Sequence, residues 1–335
     1  MRKNIVLLLL AIAFSGIAAC TQQHACFRGD VFCVGLVTDT RGLDDHGINQ
    51  ETWAGLTQSE AQGIIHQTAY IESVDPRDYD KNISFFVNEG YDVIVTSGIG
   101  LHDATLRNAD LHPATVFIGM NQTDEESIPN FISVTFPEDQ MGFVAGLLAA
   151  RLTRTNIIGG VCETSGIDSM WRYCEGFRAG AKHINDSLRV IVVYRDNGGS
   201  ESLFNDADWG TETAQALIEQ GADVIFAAGG ETGAGALRAA TEAGIPAIGA
   251  ERDQNAALAE KGSGVVASIL GRASFTVQDL MRRVREGNLA DAATSPIGFI
   301  VVNSEIPGTV VAEMDAAVEG LANGEIETNV SNEKP

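Results

Sequence analysis

The chain has 335 residues, 44% hydrophobic, 20% charged and 7% aromatic, which excludes a disordered chain, a disulfide-stapled miniprotein and a polytopic membrane protein. Its 22 Lys and Arg face 45 Asp and Glu, a net charge of −23, so a nucleic-acid surface built on clustered basic side chains is disfavoured too. What remains is a globular body of about two domains, whose 36 glycines, spread through apolar segments, imply many strand-to-helix turns.

The first twenty residues read as an address. Arg2 and Lys3 precede an apolar run over 5–14 and then Ser15-Gly16-Ile17-Ala18-Ala19-Cys20. The run is too short, and too sharply ended by small residues, for a spanning helix, and it has the layout of a secretory signal. Small residues before a cysteine resemble the lipobox of bacterial lipoproteins, in which the cysteine is lipidated and becomes the mature N-terminus. Ile17 stands where Leu is commoner, and an ordinary signal peptide with a chance cysteine is the alternative. The expectation is a signal over 1–20 ending at lipidated Cys20, a tether over 21–33, and an extracytoplasmic protein anchored to the membrane without spanning it.

Four cysteines follow Cys20. In an oxidising compartment they read most simply as two short-loop disulfides, Cys26–Cys33 and Cys162–Cys174, among three possible pairings, with free thiols as the alternative. No metal site is expected, because no Cys-x-x-Cys or His-x-x-x-His spacing occurs and the histidines are scattered.

Short apolar runs rich in β-branched residues recur at 34–37, 92–95, 116–119, 156–161, 189–193, 223–226 and 246–249. Each except the run before Asn121 leads through a Gly or polar turn into a stretch with helical apolar spacing. Alternation of this kind predicts an α/β protein with parallel sheets covered on both faces. The segment Gly90-Tyr91-Asp92-Val93-Ile94 is echoed by Gly221-Ala222-Asp223-Val224-Ile225, which two similar lobes explain. Helical patterns near 275–286 and 309–321 read as lobe-packing elements. In open parallel sheets ligands collect beyond the carboxyl ends of the strands. Those positions read Thr38-Asp39, Ser97-Gly98, Asn121-Gln122, Gly229-Gly230 and Glu251-Arg252-Asp253, so a small polar ligand in an interlobe cleft is expected. Taken singly, Asp39 could merely cap a helix and the glycines merely permit turns.

The segment Val34-Gly35-Leu36-Val37-Thr38-Asp39, continuing through Gly47-Ile48-Asn49-Gln50, resembles the opening of the basic membrane protein family. These are PnrA-like lipoprotein substrate-binding components of ABC transporters, and characterised members bind purine nucleosides. The likeness continues through Asp78-Tyr79, Gly142-Phe143-Val144-Ala145-Gly146, Glu175-Gly176-Phe177-Arg178-Ala179-Gly180 and Ala227-Ala228-Gly229-Gly230 to Asp253-Gln254. It implies a type I periplasmic-binding-protein fold, two doubly wound parallel-sheet lobes joined by a three-crossing hinge and closing on a ligand. It implies partners too: a nucleoside-like solute, and the permease and ATPase subunits of the transporter. Carried onto this chain, the family site implies Asp39, Asn49 and the Gly229-Gly230 turn as ligand contacts, with Tyr173 and Phe204 as candidate stacking aromatics. Core or lobe-surface roles for Tyr173 and Phe204 are the alternative.

Four positions depart from the family pattern. Ile48 replaces a Phe, Asn121 an Asp, Glu251 the ribose-binding Asp, and Gly271 a Lys, so the ligand need not be an ordinary purine nucleoside. Asn at 121 donates as well as accepts, which changes the ligand edge it can match. An enzyme reading has little to stand on: neither a Gly-x-Ser-x-Gly elbow nor a liganding cluster is present, and Gly229–Gly235 lacks the strict dinucleotide spacing. No cofactor is expected. A ligand sensor presenting its bound solute to a membrane receptor, or a binder of a non-nucleoside solute, are the rival functions. The expected domains are an N-lobe over 34–135 and 252–290, a C-lobe over 136–251 and 291–325, and a tail over 326–335.

Overall fold

In the computed structural model the described residues are 25–45, 47–123, 127–259, 264–289, 292–302, 306–332 and 334. The expected signal segment and Cys20 lie outside them. The chain opens with β1 (Cys33–Thr38), α1 (Ile48–Ala61), β2 (Gln67–Glu72), α2 (Tyr79–Asn88), β3 (Val93–Ser97), α3 (His102–Leu111), β4 (Val116–Met120) and β5 (Phe131–Thr135). It continues through α4 (Glu138–Leu152), β6 (Ile157–Cys162), α5 (Asp168–Ile184), β7 (Arg189–Tyr194), α6 (Ala207–Glu219), β8 (Ile225–Ala228), α7 (Gly230–Glu242) and β9 (Ala247–Ala250). The remainder is α8 (Gln254–Ala257), β10 (Val265–Gly271), α9 (Ala273–Arg285), β11 (Ala293–Thr294), β12 (Ile297–Val301) and α10 (Gly308–Ala322).

The strands form two six-stranded sheets, ordered β11-β5-β4-β3-β1-β2 and β12-β10-β9-β8-β6-β7. All pairs are parallel except β10 with β12. Both faces of each sheet are covered. Along β1, Val34 and Leu36 face one core with α1 and α9, and Val37 faces the other with α2 and α3. That double burial is why the central strands read as continuous apolar runs. The repeated Gly-x-Asp-Val motif has one job in both halves, which is to tie adjacent strand starts together. The Asp92 carboxylate accepts the Cys33 N–H at 2.7 Å, while Asp223 accepts from Arg154 N at 2.7 Å and Thr155 N at 2.9 Å.

The second lobe is organised around α4 and α5, whose backbones touch. A Cβ at Gly142 would lie 1.9 Å from the Tyr173 carbonyl oxygen, and one at Gly146 2.0 Å from that of Phe177. From the other side, a Cβ at Gly176 would lie 2.1 Å from the Asp139 oxygen and one at Gly180 1.9 Å from that of Phe143. Only glycine fits at such distances. Disulfides join Cys26 to Cys33 and Cys162 to Cys174.

The chain passes between the sheets three times, at 136–137, at 272 and at 295–296. The passes are bonded to one another: Ser295 N donates to the Thr135 oxygen at 2.9 Å and Arg272 N to the Pro296 oxygen at 3.0 Å. Phe136 packs against the cores of both lobes and lies where a Cβ on Gly271 would be, 2.2 Å from its ring.

Three expected boundaries change. Residues 252–290 do not all join the first lobe, because β10 pairs in parallel with β9 in the second sheet; α9 and β11 are what return to the first. Residues 26–33 are not a free tether, since Cys26 is buried and disulfide-bonded and the Phe27 ring lies over Gly90. The segment after 326 is not a loose tail. Thr328 Oγ1 donates to Asp139, the Asn332 carbonyl accepts from Arg172 at 3.1 Å, and Lys334 reaches Asp196 at 3.6 Å and Ser165.

Two predictions follow from this packing. Gly146→Ala forces two helix backbones apart and should lower stability by about 3 kcal/mol, read as a lower denaturant midpoint at unchanged slope. Asp223→Ala should cost about 1–3 kcal/mol by leaving backbone donors unmatched. Burial pushes the Asp223 carboxyl up, but its bonds to Thr153 and to the Arg154 and Thr155 N–H groups outweigh that and hold it below its ordinary value. The wild-type advantage over the variant should therefore be complete above the unfolded-state Asp pKa and vanish as pH falls through the lower folded one. Urea melts between neutral and acid pH would check it.

Candidate functional site

A cavity of about 370 Å³ opens at the carboxyl ends of the strands, between the two sheets. The first lobe contributes Asp39, Thr40 and Arg41 after β1, Ile48 and Glu51 on α1, Tyr79 opening α2, Ile99 and Gly100 after β3, and Asn121 after β4. The second lobe contributes Glu138 and Met141 of α4, Ile167, Ser169 and Met170 at the start of α5, and Glu251 after β9. Glu201, Leu203 and Phe204 come from the loop after β7, and Phe136, Gly271 and Ala273 from the hinge.

Asp39 is the organising acceptor. One carboxylate oxygen accepts the Asn49 Nδ2 at 2.9 Å and the Arg41 N–H at 3.1 Å; the other takes Arg41 Nε at 3.0 Å and Nη2 at 2.8 Å. Asn49 also donates to the Gly42 carbonyl at 2.8 Å. It is fully buried behind Asp39 and outside the cavity lining, so it positions the aspartate and does not face a solute. The Arg41 guanidinium then reaches across to the second lobe and lies 5.5 Å from the centroid of the Phe204 ring. Burial works against the Arg41 charge, but Asp39, with Asp45 and Glu251 further off, raises its pKa above the ordinary value. Asp45, beside it, accepts the Gly47 N–H at 2.8 Å and those of Asn49 and Gln50 at 3.2 Å, which closes the first turn of α1.

Three cavity residues other than glycine hold left-handed backbone: Asn121 at φ 59°, Phe204 at 62° and Glu251 at 71°. Asn tolerates this region; Phe and Glu do so at a cost, which the surroundings must over-determine. They are pinned accordingly. Asn121 N donates to Val134 at 2.8 Å, Glu251 N to Ile269 at 2.9 Å, and the Phe204 carbonyl accepts from Glu231 N at 2.9 Å. The loop carrying Phe204 is further held by Arg195, buried at the end of β7. Its Nε bonds Glu163 at 2.6 Å, and its Nη1 reaches Ser202 at 3.0 Å and Asp206 at 3.3 Å. Glu138 is buried and paired with Arg172 Nη2 at 2.7 Å.

Of the residues the sequence singled out, Asp39, Ile48, Asn121, Phe204, Glu251 and Gly271 line the cavity. Tyr173 does not: it is 1% exposed, its hydroxyl donates to the Ile269 carbonyl at 2.8 Å and its ring lies 5.4 Å from Phe226, so it belongs to the core. Gly229 and Gly230 are absent from the lining too. At φ 116° and 60° they start α7, with Gly230 packed under the Phe204 carbonyl, so they shape the aromatic loop from behind. Sequence reasoning missed Tyr79, Phe136, Glu51 and the α5 entrance. Tyr79 was within reach, since Asp78-Tyr79 belongs to the family pattern and opens a helix.

The comparisons agree with this architecture. The family described as ABC transporter substrate-binding protein PnrA-like matches residues 32–298. The chain is 28% identical over 321 residues to the CD4+ T-cell-stimulating antigen of Listeria monocytogenes serovar 1/2a, covering 88% of this chain and 87% of that protein. It is 27% identical over 303 residues to the ABC transporter nucleoside-binding protein BmpA of Lactococcus lactis subsp. cremoris, covering 85% and 82%. Among solved structures, an ABC transporter system solute-binding protein from Aeropyrum pernix K1 shares the fold with a TM-score of 0.73 at 17% identity, over 88% of this chain and 92% of that one. With the family pattern running through both sheets and across the hinge, the chain belongs to the PnrA-like substrate-binding proteins of ABC transporters.

Proposed function

We propose that this protein captures a nucleoside or a related small polar solute in its interlobe cavity and delivers it to an ABC permease, from a lipid anchor at Cys20 outside the cytoplasm. The observation that carries the reading is the cavity itself, in which polar and aromatic groups from both lobes converge at the strand ends. Its volume of about 370 Å³ suits a drug-sized or smaller solute. Phe204 and Tyr79 put aromatic side chains in the lining, and stacking of a planar base on such a ring is worth roughly 1–3 kcal/mol. Asp39 offers acceptor lone pairs to solute hydroxyls or amines, and Asn121 matches either a donor or an acceptor. Solute bridging the two walls favours the closed arrangement by its differential affinity for it, and the permease then reads the closed form.

A thermal-shift screen of purine and pyrimidine nucleosides, bases, sugars and amino acids tests the assignment. A true ligand at a hundred times its dissociation constant should stabilise the fold by about 2.7 kcal/mol. In Asp39→Ala the affinity for that ligand should drop at least about tenfold, the loss of one charged hydrogen bond; unchanged affinity by calorimetry would remove Asp39 from the site. The anchor is tested separately. Cys20→Ser should move the protein from the membrane fraction to the soluble extracytoplasmic fraction, and a variant that stays with membranes rejects lipidation at that cysteine.

A further inference from the structure

The charges facing the cavity do not balance. Among the described residues, Asp39, Glu51, Glu138, Glu201 and Glu251 line it against one guanidinium, that of Arg41. Arg41 is committed to Asp39, and Glu138 to Arg172 behind the wall. Glu51 and Glu251 make no ion pair or side-chain hydrogen bond among the described residues. Their charged surroundings are unfavourable as well. Glu251 feels one cation, Arg41, against the anions Asp45 and Glu138; Glu51 feels Arg252 against Asp45 and Asp253. Burial, first of all, raises the pKa of both carboxyls.

Among the described residues no basic side chain enters from the hinge side. Gly271 has none to offer, and Arg272 turns away, its guanidinium 4.7 Å from the Phe275 ring and its stem against Gly298. The Glu251 backbone is fixed by its N–H bond to the Ile269 carbonyl of β10, which holds the residue at the cavity wall. The rest of the wall includes the aromatic faces of Tyr79, Phe136 and Phe204, and Phe204 already carries one cation in Arg41. Aromatic faces beside partly desolvated carboxylates without partners are what an organic cation needs, since they supply both cation–π attraction and charge-assisted hydrogen bonds. An anion would meet an excess of like charge, since the Arg41 guanidinium is already bonded to Asp39, in a protein whose net charge is already −23.

We infer that the cavity selects a nucleoside-sized solute carrying a cationic nitrogen, held against Glu251 and Glu51, and rejects phosphorylated forms of the same solute. The inference rests on the solute-binding reading of this cavity and adds the charge of the solute to it. A cation brought there compensates partly buried carboxylates that the described residues leave unpaired.

Calorimetric titration of the full-length protein at neutral pH would use adenosine, 1-methyladenosine, 5′-amino-5′-deoxyadenosine and AMP. The second carries its positive charge on the base and the third on the sugar. At least one cationic probe should bind about tenfold or more tighter than adenosine, and AMP about tenfold weaker. The cationic preference should shrink with added salt and fall to within about threefold in Glu251→Gln or Glu51→Gln, whichever variant melts cooperatively. Adenosine binding as tightly as both cationic probes, or AMP matching it, overturns the inference while leaving nucleoside capture intact. If no nucleoside of either charge binds, the nucleoside reading fails. Agmatine, choline, glucose and glutamate then decide the matter of charge. Binding of an amine supports the cationic site; binding of glucose or glutamate alone, or of none of the four, overturns it.

Discussion

The second lobe stands on the backbone contact between α4 and α5. Two glycines on each helix leave no side chain between the axes, so the helices meet closer than the usual interaxial range, which larger contact residues set. That contact fixes one wall of the cavity, because Glu138 and Met141 begin one helix and Ile167, Ser169 and Met170 stand at the start of the other. The Arg172–Glu138 pair and the Cys162–Cys174 disulfide hold the same corner from its two ends. Removing one member of a buried pair strands the other charge, so the pair resists loosening more strongly than its net contribution to stability implies. The segment after α10 lies over this corner as well, through Thr328, Asn332 and Lys334.

A rigid wall is useful only if the other wall can move toward it. The hinge passes lie side by side and are hydrogen-bonded to one another, so they bend together. Phe136 explains why Gly271 is glycine here. The ring occupies the space of a side chain at that position and packs into both cores, which couples the bend to each lobe's interior. The departure at 271 thus exchanges a polar side chain in the cavity for apolar packing at the pivot.

Most central strands were legible because burial on both faces writes itself as an unbroken apolar run; β10, buried in the second sheet, was not among the runs recognised. β2 was not, since its residues are half-buried or exposed at a sheet edge and the segment reads Gln67-Thr68-Ala69-Tyr70-Ile71-Glu72. β5 was missed for another reason: it follows β4 without a helix, against the alternation that identified the rest. Lobe membership of 252–290 misled because β10 adds to the second sheet before the chain crosses, and pairing partners are not encoded locally. At the site, polar strand ends located Asp39, Asn121 and Glu251. Tyr173 failed because a helical aromatic whose own carbonyl makes a glycine contact is as well suited to a core as to a ligand, and its hydroxyl found a carbonyl there. Asn49 was expected as a ligand contact, yet it lies outside the cavity lining and holds Asp39, a distinction that residue type alone cannot make.

Arg41 ties the two readings of the cavity together. Its guanidinium is bonded to the first lobe through Asp39 and lies on the second through Phe204, so the protein's own side chain spans the cleft. A solute that stacks on Phe204 competes for the face that Arg41 covers, and one that bonds Asp39 competes for the acceptor that Arg41 occupies. Measured affinity is therefore a difference between solute contacts and the internal contacts they replace. A neutral solute that displaces the guanidinium leaves Asp39 without its counter-charge. A cationic solute held at Glu251 and Glu51 needs no such displacement, because Arg41 keeps its bonds to Asp39. Binding of a cation then reduces the excess negative charge of the cavity by one, whereas a neutral solute leaves that excess unchanged.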